Sequence, residues 1–259
     1  MAENSVGISN QPYPALPCAV LSIYSIFFII TVVIPSRLPS VVEVLVRTGG
    51  FSTCVLLSHL LETLQWLVQV THDIAALKPS GEGDGHMATV RLRLLHATFR
   101  QRIRNLTQRK PSYFDTSTYG VPANAIDSMH SISVFSCSPM WLQLPQFGVH
   151  PTTAEITSYI ALFRYLAYLL GAPHAPYFAG AETARRVMES MLVHEMRITE
   201  TSHVVAYNFL QVATSLPSPF YVSMGFAAAG SRWINGDELC NELKMVRRRG
   251  GARGLMRLW

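Results

Sequence analysis

The chain has 259 residues, 49% apolar and 14% charged, with 21 lysines and arginines against 16 acidic residues and a formal charge of +5. Soluble domains carry about 25% charged residues, so this chain lies at the apolar end of the range, and disorder is excluded. Its length suits one large domain or two small ones, with one the default, and no repeat of solenoid period is visible. The positive charge is concentrated. Arg247, Arg248, Arg249, Arg253 and Arg257 fall in the last 13 residues with no acidic neighbour, and without them the chain is formally neutral. A second basic run, Arg91 to Lys110, holds seven positive residues and no acidic one. Cys18, Cys54, Cys137 and Cys240 form no CxxC and no zinc-spaced pair with histidine, which predicts free buried thiols rather than a metal or disulfide framework.

Residues 1 to 16 are polar and contain proline, and are expected to form a flexible N-terminal arm. The most apolar stretch, Cys18 to Ile34, is bracketed by Pro17 and Pro35. As a helix it would span about 25 Å, short of the roughly 30 Å hydrocarbon core, and no basic run precedes it as in a signal peptide. It reads either as a buried core helix or as a membrane-inserted or membrane-lying segment. Val41 to Val46 and Leu56 to Val70 are predicted helices, the second with Leu57, Leu60, Leu61, Leu64, Leu67 and Val68 at the spacing of a buried face. Lys78 to Gly85 is a loop by composition, followed by a predicted helix from Ala88 to Leu106. Two more helices, Ala125 to Phe135 and Thr153 to Leu170, are expected on either side of the connection PMWLQLPQFGVHP. Asn124 and Asp127 have the chemistry of helix-start residues, and Gly171 with Pro173 beyond it marks a stop. Glu182 to Arg197 and Thr201 to Thr214 complete the run. Alternating strand patterns are scarce, so the predicted class is all-α, a single helical domain.

The chemistry concentrates in RLRLLHATFRQRIR. On a 3.6-residue period Leu92, Leu95, His96, Phe99, Ile103 and Leu106 share a face, so the His96 imidazole emerges from an apolar stripe. Arg93 stands three residues before it and Arg100 four after, beside it on the helix surface. A neutral imidazole in an apolar wall, flanked by guanidinium groups that can clamp carboxylates, is what an iron porphyrin site needs. The plainer reading is a core histidine on a helix whose arginines are solvated or bind phosphate. A nucleic-acid module is disfavoured, because half of this helix must be buried and no nucleic-acid motif accompanies it.

Several segments carry a more specific signal in their order and spacing: VLVRTGGFS at Val44 to Ser52, LLETLQWL at Leu60 to Leu67, VRLRLLHATFRQRI at Val90 to Ile103, YGVPANAIDSM at Tyr119 to Met129, and ITSYIALFRYLAYLLGAP at Ile156 to Pro173. Together they resemble the MpaB and latex-clearing-protein (rubber oxygenase) family over roughly residues 20 to 244. MESMLVHE at Met188 to Glu195 and NGDELCNEL at Asn235 to Leu243 are similar to its fungal MpaB-like branch.

The resemblance implies an all-helical haem b (iron) oxygenase that uses dioxygen to cleave a C=C bond in an isoprenoid or prenyl chain of a lipid or natural product. It makes His96 the proximal iron ligand, with Arg93 and Arg100 as its companions in the cofactor site. A distal RxxKT-like segment maps onto His59, Leu60, Leu61, Glu62 and Thr63, so His59, Glu62 and Thr63 are the expected catalytic residues. Two departures stand there. His59 replaces the family arginine, losing its fixed charge and fork, and Glu62 replaces a lysine able to ligate iron. A carboxylate at Glu62 could act as a base or orient a water. His130 falls where some relatives carry a further histidine near the haem, and Arg164 matches an arginine that pairs within the fold. Asn105 to Thr107 is a formal glycosylation sequon, expected to be unused.

The expected partners are an apolar isoprenoid-like small molecule and dioxygen, with membrane association through residues 18 to 34 and no nucleic acid. The expected location is the endoplasmic reticulum membrane or a cytosolic membrane-associated state. The alternative is a catalytically impaired paralogue acting as a membrane-associated helical protein. After Leu243 the resemblance stops, and residues 245 to 259 form a basic Gly/Arg-rich divergent tail such as a truncated or misjoined reading frame would leave. The domain is thus expected to span residues 17 to 244.

Overall fold

A computed structural model describes residues 38–49, 53–78, 83–216 and 221–245. The fold is all-α, with no strand among the described residues. Helix α1 (Pro39–Arg47) starts with proline at its first turn, where a missing N–H costs nothing. It is followed by α2 (Thr53–His72) and α3 (Asp84–Arg109). Between these two, Asp73 accepts from Ala75 N at 2.8 Å and so starts the 3-10 turn Ile74–Leu77.

The sequence predicts a loop as far as Gly85, but α3 begins at Asp84. Gly83 and Gly85 are turn formers in isolation; here they let the chain pass closely over the preceding hairpin. A Cβ on Gly83 would lie 2.1 Å from the Ala76 carbonyl oxygen, and one on Gly85 would lie 2.8 Å from that of Gln69. Absence of a side chain, not φ freedom, is what these positions require.

Beyond the short α4 (Thr116–Tyr119), α5 (Ala125–Ser138) opens with a reciprocal capping box between Asn124 and Asp127. The connection expected after it is itself helical at its start. The chain continues through a π-helical turn, Pro139–Gln143, and a 3-10 turn, Leu144–Phe147. Pro139 cannot donate to the Phe135 carbonyl, and the Tyr159 hydroxyl donates to that oxygen instead at 3.1 Å. Helix α6 (Thr153–Leu170) is capped by Thr152 with Glu155 and stops at Gly171, whose φ is +73°.

Helix α7 (Ala181–His194) ends earlier than the predicted Arg197. Thr199 must stay extended to cap α8 (Glu200–Thr214), so the chain cannot remain helical through it. Two helices that the sequence did not signal follow, α9 (Met224–Asn235) and α10 (Asp237–Glu242). They are held by Arg232, nearly buried, which donates to Asp237, Asn241 and the Met245 carbonyl.

Burial organises these helices into two main clusters. One joins α1, α2, α8, α9 and α10 through Val42, Leu60, Phe209, Ala228 and Cys240. The other joins α2, α5, α6 and α7 through Trp66, Ile132, Phe163, Leu166 and Met188. Leu67 of α2 and Phe135 of α5 touch both. Cys137 and Cys240 are buried free thiols, as expected.

The expectation of an endoplasmic reticulum or other membrane-associated location is corrected. Among the described residues no helix is long and apolar enough to cross a membrane. The longest helix, α3, carries charged residues along its whole length. Residues 18 to 34, on which that expectation rested, lie outside the described residues, as do residues 1 to 16 and the arginines of the tail.

Candidate functional site

The site is built on the α2/α3 hairpin. Trp66 of α2 donates its indole N–H to the Thr89 hydroxyl of α3 at 3.0 Å. Gln69, three residues further along α2, meets Gly85, four residues earlier on α3. These two contacts show that the helices run antiparallel and fix their register. Seven residues are two helical turns and return to nearly the same face. Seven back from Trp66 is His59, and seven on from Thr89 is His96. The two histidines therefore stand at one level on facing sides of the pair, about 10 Å along the axis from the Trp66–Thr89 contact.

Their electrostatics agree with this register. His96 is pushed down to about 4, first by desolvation and then by the charges of His59 and Arg100. His59 is also lowered by desolvation, with Glu62, one turn along α2, acting in the opposite direction. Both imidazoles are thus neutral at neutral pH, with a nitrogen lone pair available. Neither ring has a hydrogen-bond partner among the described residues.

Burial changes sharply along the hairpin. Thr89 is 0% exposed and Trp66 6%, whereas His59 and Glu62 are exposed, His96 is half-buried and Leu95 is 39% exposed. His96 thus stands at the boundary between the closed part of the hairpin and its exposed end. On α3 the neighbours of His96 along its face are apolar: Leu92, Leu95 and Phe99.

The remaining predicted residues take more specific places than the sequence showed. Thr63 donates its hydroxyl to the His59 carbonyl at 2.7 Å, so its proton is turned back onto its own helix. Arg93 donates to the Leu169 carbonyl at 3.3 Å, and its guanidinium lies against Gly171. It therefore satisfies the C-terminal end of α6 and lines a groove of about 680 Å³ with Leu94, Tyr168 and His174. Arg100 donates to the carbonyls of Pro122 and Ala123, at 3.3 and 2.6 Å, and its charge reaches Asp127. Both arginines flank His96 in sequence, but each is tied to backbone of another segment.

His130 is fully buried in α5, held neutral at about 4 by burial, with Nε2 unpartnered among the described residues. It lies five residues, or about 140° around the helix, from Phe135, whose ring meets Trp66 at 6.1 Å. Arg164 reaches the Ala179 carbonyl at 3.5 Å. Asp127 also accepts from Ser40, which ties α1 to the start of α5 and confirms its structural role. The sequence reading missed the register pair itself. Trp66 and Thr89 read as core and filler in isolation, and the only signal was their equal spacing from His59 and His96.

Among the described residues no group of three or more His, Cys, Asp or Glu side chains could hold a metal ion. Porphyrin iron needs only one protein nitrogen, and the neutral, half-buried His96, with apolar neighbours on its helix face, can supply one.

A search of curated proteins finds no match to the chain. Among solved structures it is similar to the latex clearing protein LCP in the closed state, with a TM-score of 0.68 at 17% identity, over 96% of this chain and 67% of that one. That likeness supports the all-α fold. The family model described as "ER-bound oxygenase mpaB/B'/Rubber oxygenase, catalytic domain" matches residues 27–259. By this match over most of its length, the chain belongs to the mpaB/rubber oxygenase catalytic-domain family.

Proposed function

We propose that the chain is a haem b-dependent oxygenase of the fungal MpaB-like branch, acting on a C=C bond in an apolar isoprenoid-like chain. The observation that carries this reading is the neutral, half-buried His96 imidazole on the apolar face of α3, level with His59 of α2. Haem b, when bound, supplies iron chemistry that lets dioxygen react with an alkene; both oxygen atoms end in the two carbonyl groups that replace the double bond.

The protein's own part is to hold, orient and exclude water. His96 would hold the iron through a ring nitrogen that desolvation keeps unprotonated. Leu92, Leu95 and Phe99 give the flat apolar surface that a porphyrin and a hydrocarbon chain both require. Arg100 and Arg93 fix α3 against the segment before α5 and against the end of α6. A guanidinium has five N–H groups, and those not spent on these carbonyls are the proposed partners of the porphyrin carboxylates. Glu62, exposed beside His59, is the base that takes an allylic proton or orients water, while Thr63 has lone pairs left to accept a hydrogen bond.

The test is spectroscopic and then chemical. Protein produced with ample haem supply is expected to show a Soret band that His96→Ala abolishes. Incubation with prenylated compounds under ¹⁸O₂ is expected to give labelled carbonyl products. A wild-type protein without a Soret band would overturn the cofactor assignment, and a haem-loaded protein yielding no carbonyl products would overturn the reaction.

A further inference from the structure

We infer that the groove between α3 and the C-terminal end of α6 is a second ligand site, on another flank of α3 from His96, and that it takes a small aromatic carboxylate. The site does not depend on the haem reading. It claims Arg93, and leaves Arg100 as the partner of the porphyrin carboxylates in that reading.

Val90, Arg93 and Leu94 of α3 line the groove together with Tyr168 of α6 and His174 just beyond that helix. At about 100° per residue the three α3 positions lie about 120°, 60° and 160° around the helix from His96, all in the same sense. The groove therefore opens to the side of the His96 ring and not over it. Its volume of about 680 Å³ is that of a site for a small organic molecule.

The charge of the groove selects an anion. Arg93 lines it, and no acidic residue does. The acidic residues of α3 and α6, Asp84 and Glu155, both stand in the first turns of their helices, away from the groove. A helix C-terminus ordinarily repels anions through its free carbonyls. At the end of α6 those carbonyls are occupied: Ala172 N donates to the Ala167 oxygen at 2.9 Å, Gly171 N to that of Tyr168 at 3.0 Å, and Arg93 Nη1 to that of Leu169 at 3.3 Å. The other N–H groups of Arg93 have no partner among the described residues. Gly171 keeps side-chain atoms off the guanidinium, since a Cβ there would lie 3.1 Å from Cζ. A planar guanidinium with no lysine or second arginine in the lining matches a single carboxylate, gripped by two parallel N–H bonds, better than a phosphate.

The rest of the lining selects a flat apolar body. Tyr168 is 58% exposed and Leu94 62%, so both present apolar surface to the groove. The Tyr168 ring is braced from two sides, edge-on with His174 at 5.3 Å between centroids and stacked with Tyr165 at 6.2 Å. A braced aromatic ring beside a branched aliphatic side chain is a platform for an aromatic ligand, whose carboxylate then reaches Arg93.

The experiment titrates the full chain with naphthoate by calorimetry. Saturable binding is expected, with naphthamide, of the same shape but uncharged, about tenfold weaker or more. Arg93→Gln is expected to weaken naphthoate binding about tenfold or more, and Tyr168→Ala severalfold. Leu94→Glu places a carboxylate at an exposed position in the lining, where it leaves the fold intact, and is also expected to weaken binding about tenfold. Loading the chain with haemin is expected to leave the affinity for naphthoate unchanged. No saturation by about 10 mM naphthoate, equal affinity for naphthamide, or unchanged affinity in Leu94→Glu overturns the inference. Displacement by haemin does the same, because it puts naphthoate on the His96 face, and displacement by equimolar inorganic phosphate overturns the ligand class. The Soret band of the haemin-loaded chain reports on the haem reading separately, so either reading can fail alone.

Discussion

The indole N–H of Trp66 donates to the Thr89 hydroxyl at 3.0 Å, and that hydroxyl donates in turn to the Gly85 carbonyl at 2.7 Å. One threonine thereby fastens α2 to α3 while its own proton stays within α3. Thr89→Val preserves shape but leaves the buried indole N–H unpaired. We expect a loss of about 1–3 kcal/mol in urea unfolding. An unchanged midpoint would show that the hairpin register does not depend on this bond.

The Tyr159 hydroxyl and Pro139 act on the same carbonyl. Tyr159→Phe should cost about 1 kcal/mol, because the Phe135 oxygen then loses this donor. In a Pro139→Ala background the new N–H can reach that oxygen, and the same substitution should cost measurably less. A double-mutant cycle on unfolding free energies checks this, and strict additivity would reject the compensation.

Burial of His130 makes stability pH-dependent. Its native pKa of about 4 lies below the unfolded value of 6.5, so below 6.5 the unfolded chain takes up a proton that the native state refuses. The stabilisation is present above pH 6.5 and is lost progressively as pH falls to about 4, amounting to on the order of 3 kcal/mol. His130→Gln, which cannot titrate, should flatten the unfolding free energy across that window. His96 acts in the same direction and leaves a residual slope in the haem-free protein.

Arg232 anchors the end of the described chain. Arg232→Met keeps the length of the side chain but removes its bonds to Asn241 and the Met245 carbonyl, together with the ion pair to the largely exposed Asp237. A loss of about 2–4 kcal/mol is expected, with protease cleavage opening between residues 243 and 245. Wild-type resistance at those bonds would argue that the contact is dispensable.

Much of this architecture is legible locally. Asn124, Asp127 and Gly171 announce helix ends through their own side chains or conformations, and α6 runs from Thr153 to Leu170 as its pattern predicts. His96 also stands out by itself, as a polar residue on an apolar stripe. What could not be read depends on partners distant in sequence. PMWLQLPQFGVHP reads as a plain connection, because the hydroxyl that donates to the Phe135 carbonyl and lets the chain stay helical past Pro139 comes from another helix. Arg93 and Arg100 read as free cations, but their carbonyl acceptors lie 76 and 22 to 23 residues away. Helices α9 and α10 escaped because AAAGSRW shows no polar face, and its arginine is buried rather than solvated.

Helix α2 carries Leu60 in one main cluster and Trp66 and Val70 in the other, and Leu67 touches both. Neither cluster can come apart while this helix stays in place, and it cannot leave one without deserting the other. Unfolding should therefore be a single cooperative event. A ligand captured at His96 would then raise the melting temperature of the whole assembly of helices, by an amount set by its concentration relative to its dissociation constant.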